Sequence, residues 1–232
     1  MTQRPSSPEE LRVWTAVDWY YEGLLEPSDP ALEATLLASR AAGLPDIQVS
    51  PLQGRWLHLL ARALRARRIL EIGTLGGYST IWLGQALPPD GQLITVELDP
   101  KHAAIARANL ARAGLEHRVE VRLGPALEVL PGLLQKGEGP FDLVFIDADK
   151  PSYAEYLEWA VRLSRRGTII LADNVVRRGD IVEAGSSDPA VQGVRRMNER
   201  LARDSRLSAS ALQTVGSKGH DGMLFALVLA DP

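Results

Sequence analysis

There is no cysteine in the 232 residues of this chain. That absence excludes disulfides, thiolate metal centres and a cysteine nucleophile, and it suits a reducing compartment, so a cytoplasmic location is expected. No apolar run approaches the length that spans a bilayer, and residues 1–10 show no apolar signal region, so no membrane partner is expected. An excess of one charge sign is missing too. The formal charge of −3 is too close to balance to draw in nucleic acid by bulk electrostatics. Aromatic residues are scarce at 6%, yet Trp14, Trp19, Tyr20 and Tyr21 crowd into one N-terminal stretch. No internal repeat, low-complexity tract or linker rich in Pro, Gly or Ser divides the chain. One domain over 1–232 is expected, with helices in 1–66 and a sheet core in 67–232.

Proline marks most of the helix starts. Ser7-Pro8-Glu9-Glu10 reads as a capping box with proline at the first helical position, opening a helix to about Leu25. Asp29-Pro30 repeats the signal for a helix that stops near Gly43, and Ser50-Pro51-Leu52-Gln53 begins a third. From Arg68 onward, short unalternating apolar runs at 69–72, 93–97, 119–123, 141–146 and 168–172 read as strands buried on both faces. Helical segments near 78–87, 100–113, 126–136 and 151–163 separate them. That alternation implies an α/β fold with a parallel sheet and helices on both faces. After a helix opening at Asp188-Pro189, the runs Leu207–Thr214 and Met223–Leu229 are joined by the glycine-rich Gly216–Gly222. So short a connection predicts an antiparallel hairpin at a sheet edge.

Residues 69–77 read Ile-Leu-Glu-Ile-Gly-Thr-Leu-Gly-Gly, and Glu97 ends the next apolar run. Ligands of open α/β sheets bind at the carboxyl ends of the strands, where a carboxylate after the second strand accepts from a ribose diol. Glycines there let the backbone approach a ligand closely. The loop lacks the G-x-G-x-x-G spacing of dinucleotide folds, and Glu71 at its mouth would repel phosphate but suit a positive amine. A nucleoside bearing an amino acid, such as S-adenosylmethionine, satisfies both ends. The plain alternative is a strand and a tight turn with no ligand.

Two further strands end in polar residues, Asp147-Ala148-Asp149-Lys150 and Asp173-Asn174. Asp147, Asp173 and Asn174 offer three hard oxygens from two strands, a set suited to Mg²⁺ or Ca²⁺ and poor for zinc. Ordinary capping by Asp147 and Asp149 of the helix near Pro151 is the competing reading. Lys150, beside a dication, would have a lowered pKa and act as a general base. None of the four histidines sits at a comparable strand end, and His102 and His117 read as solvated. The connection 175–188 has the length of a substrate wall or lid. Arg177 and Arg178 within it read as surface charge that would also suit an acidic substrate.

Together these pieces, with Val49-Ser50-Pro51-Leu52-Gln53-Gly54, Gly77-Tyr78-Ser79, Glu97-Leu98-Asp99 and Gly124-Pro125-Ala126, resemble the cation-dependent O-methyltransferases, the family of catechol and caffeoyl-coenzyme A O-methyltransferases. The resemblance implies a Rossmann-like class I methyltransferase fold, doubly wound, with a mostly parallel seven-stranded sheet. It implies S-adenosylmethionine and Mg²⁺ (or Ca²⁺ or Mn²⁺) as cofactors, a catechol-like phenolic acceptor and a homodimer. By the same resemblance Val49, Ser50, Glu71, Gly73, Thr74 and Ser79 hold the methionine end of the cofactor, Glu97 the ribose and Ala126 the adenine. Asp147 and Asp149 line the same pocket. Asp147, Asp173 and Asn174 bind the metal, and Lys150 is the base and touches substrate. Arg178 stands where plant members carry a substrate-contacting asparagine, which speaks against a plant-type acyl-coenzyme A acceptor. A methyl acceptor of carboxylate or amine type, and a nucleoside-binding module without turnover, remain the competing functions. The intact Asp147/Lys150/Asp173/Asn174 set argues against both.

Overall fold

Caps written into the sequence start the helices. The computed structural model describes residues 7–25 and 29–231. Residues 1–6, part of the stretch where the sequence shows no signal region, lie outside that description. Helix α1 (Pro8–Leu25) opens with Ser7 and Glu10 bonded reciprocally. Helix α2 (Pro30–Ala41) is capped by Asp29, which accepts from the Ala31 and Leu32 amides. Helix α3 (Pro51–Ala63) has a complete capping box between Ser50 and Gln53. Each device satisfies amides that a helix start leaves without partners.

The alternating part follows as β1 (Arg68–Ile72), α4 (Tyr78–Ala86), β2 (Gln92–Glu97), α5 (Pro100–Arg112), β3 (Val119–Leu123), α6 (Ala126–Gln135), β4 (Phe141–Ile146), α7 (Tyr153–Arg162) and β5 (Ser164–Asp173). Then come α8 (Pro189–Arg203), β6 (Leu207–Gly216) and β7 (Gly219–Val228). The strands form one seven-stranded sheet in the order β3-β2-β1-β4-β5-β7-β6. Pairing is parallel from β3 through β5, and β7 is antiparallel to both β5 and β6.

Side-chain alternation explains why both faces carry helices. Leu70, Ile72, Val144, Ile146 and Ile170 point into one core with α6, α7 and α8. Ile69, Leu143, Phe145, Ile169 and Leu171 point into the other, with α3, α4 and α5. Strands with apolar residues on both faces have no stable place at a solvated surface. This is the class I methyltransferase fold, doubly wound about β1 and β4.

Two expectations need correction. Strand β5 begins at Ser164 rather than 168 and passes through the polar Arg165, Arg166 and Gly167 before it enters the core. The Gly216–Gly222 stretch is not a loop. The two strands continue through it to a turn at Ser217 and Lys218, with Gly216 paired to Gly219. Its glycines serve separate close approaches: a Cβ on Gly216 would lie 2.6 Å from the Asp18 carboxylate of α1, and one on Gly222 would lie 2.4 Å from Val176. Among the described residues no helix is long and apolar enough to cross a membrane.

Candidate active site

Register brings the chemistry to one edge. Ile72 lies beside both Val96 and Ile146, and Ile146 lies beside Ala172. The next residue on each strand is Gly73, Glu97, Asp147 and Asp173, so all four stand in a row at the carboxyl ends of β1, β2, β4 and β5. The chain winds outward from β1 in opposite directions to β2 and to β4, which makes the crevice above β1 and β4 the switch point where such sheets bind ligands.

The turn after β1 admits only glycine at its first position. Gly73 has φ +101°, and a Cβ there would meet the Asp147 carbonyl oxygen at 2.1 Å. Backbones of β1 and β4 can approach this closely because no side chain intervenes. Glu97 holds the turn: its Oε2 accepts the amides of Thr74 at 3.2 Å and Leu75 at 2.7 Å, and its Oε1 accepts the Asp99 amide at 2.9 Å. Val49 and Ser50, both buried, lead into α3, and Ala126, half-buried, begins α6.

Glu71 is enclosed rather than presented at the mouth. It projects to the α3–α4 face with no exposed surface and accepts hydroxyls from Ser79 at 2.7 Å, Thr80 at 2.5 Å and Thr95 at 2.7 Å. Thr95 also shares a 2.6 Å bond with Thr74. Burial, which those hydroxyls offset only in part, pushes the Glu71 carboxyl up to about 7.

At the other half of the row, Lys150 Nζ lies 2.8 Å from Asp147 Oδ1, and both side chains are mostly covered. The Lys150 ammonium also sits 5.4 Å from the centre of the Tyr153 ring. Tyr153, fully buried on α7, donates its hydroxyl to the Asp173 carbonyl at 2.9 Å and reaches that of Ile146 at 3.3 Å, tying the ends of β4 and β5 together. Asp173 is 2% exposed. Its burial, then the neighbouring Asp147 carboxylate, push its pKa up. Asn174 follows in the left-handed region at φ 57°, its amide donating to Asp173 Oδ1 at 2.7 Å.

Two close carboxylates, one of them out of water, are stabilised by positive charge, and the donors are all hard oxygen. Asp147, Asp173 and Asn174 therefore fit Mg²⁺, Ca²⁺ or Mn²⁺. Among the described residues no cluster of three or more His, Cys, Asp or Glu side chains is placed for a metal. A third oxygen from this set must come from the Asn174 amide.

Capping does not account for these acids. Asp149 stands at the N-cap position of the 3₁₀ turn that follows, Lys150–Ser152, but its side chain bonds no amide of that turn. Asp149 instead accepts the hydroxyls of Ser152, at 2.5 Å, and Tyr156. Arg178 is exposed at a left-handed kink within Arg177–Val182, inside the connection after Asn174.

Sequence reasoning missed two residues. His102 is not simply solvated: its ring Nδ1 lies 3.6 Å from Glu97 Oε1, and its side chain is only 23% exposed. The first turn of α5, capped by Asp99, swings it back over the end of β2. Asp221, hidden in a glycine-rich stretch, accepts amides from the turn after Asn174. Only the pairing of β5 with β7 brings it there.

Comparison with known proteins shows the family. A family model described as O-methyltransferase matches residues 30–228. A catechol O-methyltransferase of Niastella koreensis is 52% identical over 217 residues, covering 94% of this chain and 98% of that protein. A catechol O-methyltransferase of Mycobacterium tuberculosis is 51% identical over 228 residues, 98% of this chain and 99% of that protein. The crystal structure of an O-methyltransferase from Bacillus cereus in complex with SAH superposes with a TM-score of 0.93 at 53% identity, covering 94% of this chain and 99% of that one. The chain belongs to the O-methyltransferase family.

Proposed function

We propose that this protein transfers the methyl group of S-adenosylmethionine to one hydroxyl of a catechol-like aromatic, with a divalent cation held by Asp147, Asp173 and Asn174 and with Lys150 as general base. One observation carries the reading. Two neighbouring strands deliver Asp147 and Asp173 side by side, with Lys150 Nζ 2.8 Å from Asp147 Oδ1, one strand from the glycine turn. The SAH complex of the Bacillus cereus relative and the catechol O-methyltransferase names of two others support the cofactor and the acceptor class.

Each residue then has a defined task. Gly73 and Thr74 let the donor approach the strand ends, and Glu97 and His102 border the ribose side. Glu71 lies beneath the turn and anchors Ser79. A bound divalent ion supplies Lewis acidity, which lowers the pKa of a chelated hydroxyl and orients it. Lys150 receives the hydroxyl proton as the oxygen attacks. Positive charge on the donor disappears during transfer, so preorganised geometry counts for more than tight binding of the cation in the ground state. We place the protein in the cytoplasm as a homodimer joined through the apolar face of α1, with Arg178 at the rim of the acceptor site.

The test is methylation of catechol by labelled S-adenosylmethionine with EDTA, then with Mg²⁺ restored. Activity lost on chelation and regained with metal is expected. Methylation that survives EDTA would sink the metal mechanism. Cofactor binding without product across a panel of vicinal diphenols would sink the enzymatic reading.

A further inference from the structure

We propose, building on the metal reading above, that Asp221 is a positioning residue. From β7 its carboxylate clamps the turn that aims Asn174, and so sets the geometry of the acceptor side of the site. Three residues close together in that turn adopt the left-handed backbone without being glycine: Asn174 at φ 57°, Arg177 at φ 54° and Arg178 at φ 58°. Such residues persist only where the surroundings over-determine them. The surroundings here are specific. Asp221 Oδ1 accepts the amides of Val176 at 3.1 Å and Arg177 at 3.0 Å, together with that of Gly222 at 2.9 Å. The Gly222 carbonyl accepts the Val175 amide at 3.0 Å. With Asn174 donating to Asp173 Oδ1, every amide from Asn174 to Arg177 is engaged.

Steric fit matches the bonding. Gly222 has space for no side chain, since a Cβ there would lie 2.4 Å from Val176 Cγ2 and 2.5 Å from the Leu212 carbonyl. Asp221 and Gly222 thus form a mould for residues 174–177. The Asn174 backbone keeps its left-handed conformation, with its amide on Asp173, while that mould holds. The same clamp anchors the start of the 175–188 connection, which borders the acceptor.

Hydrogen exchange and metal titration on the full-length, SAH-loaded protein test the assignment, with Asp221→Ala and Asp221→Asn. Asparagine keeps an oxygen acceptor and removes the charge; alanine removes both. We expect exchange across 174–183 in the metal-free protein to quicken at least about tenfold in Asp221→Ala and by less than about threefold in Asp221→Asn. Mg²⁺ affinity by calorimetry falls about tenfold or more in the alanine variant alone, with SAH affinity within about twofold of the parent. Should Asp221→Ala fail to fold, Asp221→Ser, whose hydroxyl reaches fewer of these amides, replaces it. Unchanged exchange in the alanine variant overturns the proposal. So does an asparagine variant as impaired as alanine, because charge rather than the clamp would then be at work. A parent that binds no divalent ion but shows the expected exchange pattern would keep the clamp and dismiss the metal reading instead.

Discussion

Lys150 and Glu71 show how placement changes the chemistry of ordinary side chains. Lys150 is held by Asp147 on one side and the Tyr153 ring on the other, so its amine has a fixed address at the end of β4. Lys150→Ala should lower kcat by about 10²–10⁴-fold, the usual worth of general acid–base catalysis, and leave S-adenosylmethionine affinity nearly unchanged. Equal turnover in variant and parent would reject the base assignment. Glu71 predicts a pH dependence whose sign follows from burial. Its folded-state pKa of about 7 stands above the usual 4.5, so between those values the folded protein holds a proton that the unfolded chain releases. Stability should therefore fall as pH rises through that window and level off above about 7, by up to roughly 1.4 kcal/mol per pH unit. In Glu71→Gln, thermal melts from pH 4.5 to 8 should show a shallower fall; identical slopes would place the proton elsewhere. Glu71 was legible in the sequence as an acid at a strand end. Its enclosure by Ser79, Thr80 and Thr95 was not, because two of those partners arrive on a helix and the third on another strand.

Elements met their local signals where the signals were chemical. Asp or Ser before proline opened α2, α3, α5 and α8 where expected, because a cap bonds within its own first turn. The β6–β7 tip defied its composition because its three glycines answer to distant partners: Asp18 for Gly216, Val176 for Gly222, and a positive φ for Gly219. Glycine signals backbone freedom or close approach, and a single sequence does not separate the two. At the β1 turn both apply. Gly73→Ala should cost about 3 kcal/mol or more, since its Cβ would need a strained φ and would push on the Asp147 carbonyl. Chemical denaturation and SAH titration together check this. A stable variant with unaltered SAH affinity would mean that the β1 and β4 ends need not touch.

At the scale of the whole molecule, α1 is the part least accounted for by its own chain. Asp18 fastens it to the sheet edge by accepting the Ser217 amide at 2.7 Å. Its outer face nevertheless leaves Trp19 68%, Tyr20 62% and Leu24 64% exposed. An apolar face of that kind asks for a partner, and a second copy supplies the same face by symmetry. Light scattering should give twice the 25.3 kDa chain mass for the parent and a single chain mass for Trp19→Glu with Tyr20→Glu. A parent that runs as a monomer at micromolar concentration would remove the dimer. By itself the sequence determined the strand-and-helix rhythm, the caps and the glycine turn, because each depends on neighbours within a few residues. Only the tertiary structure decided that Glu71 is walled in by a neighbouring strand and helix and that Asp221 grips the turn after Asn174. Those contacts join segments far apart in the chain, and strand order and register, which arise from packing both faces of the sheet at once, are what bring them together.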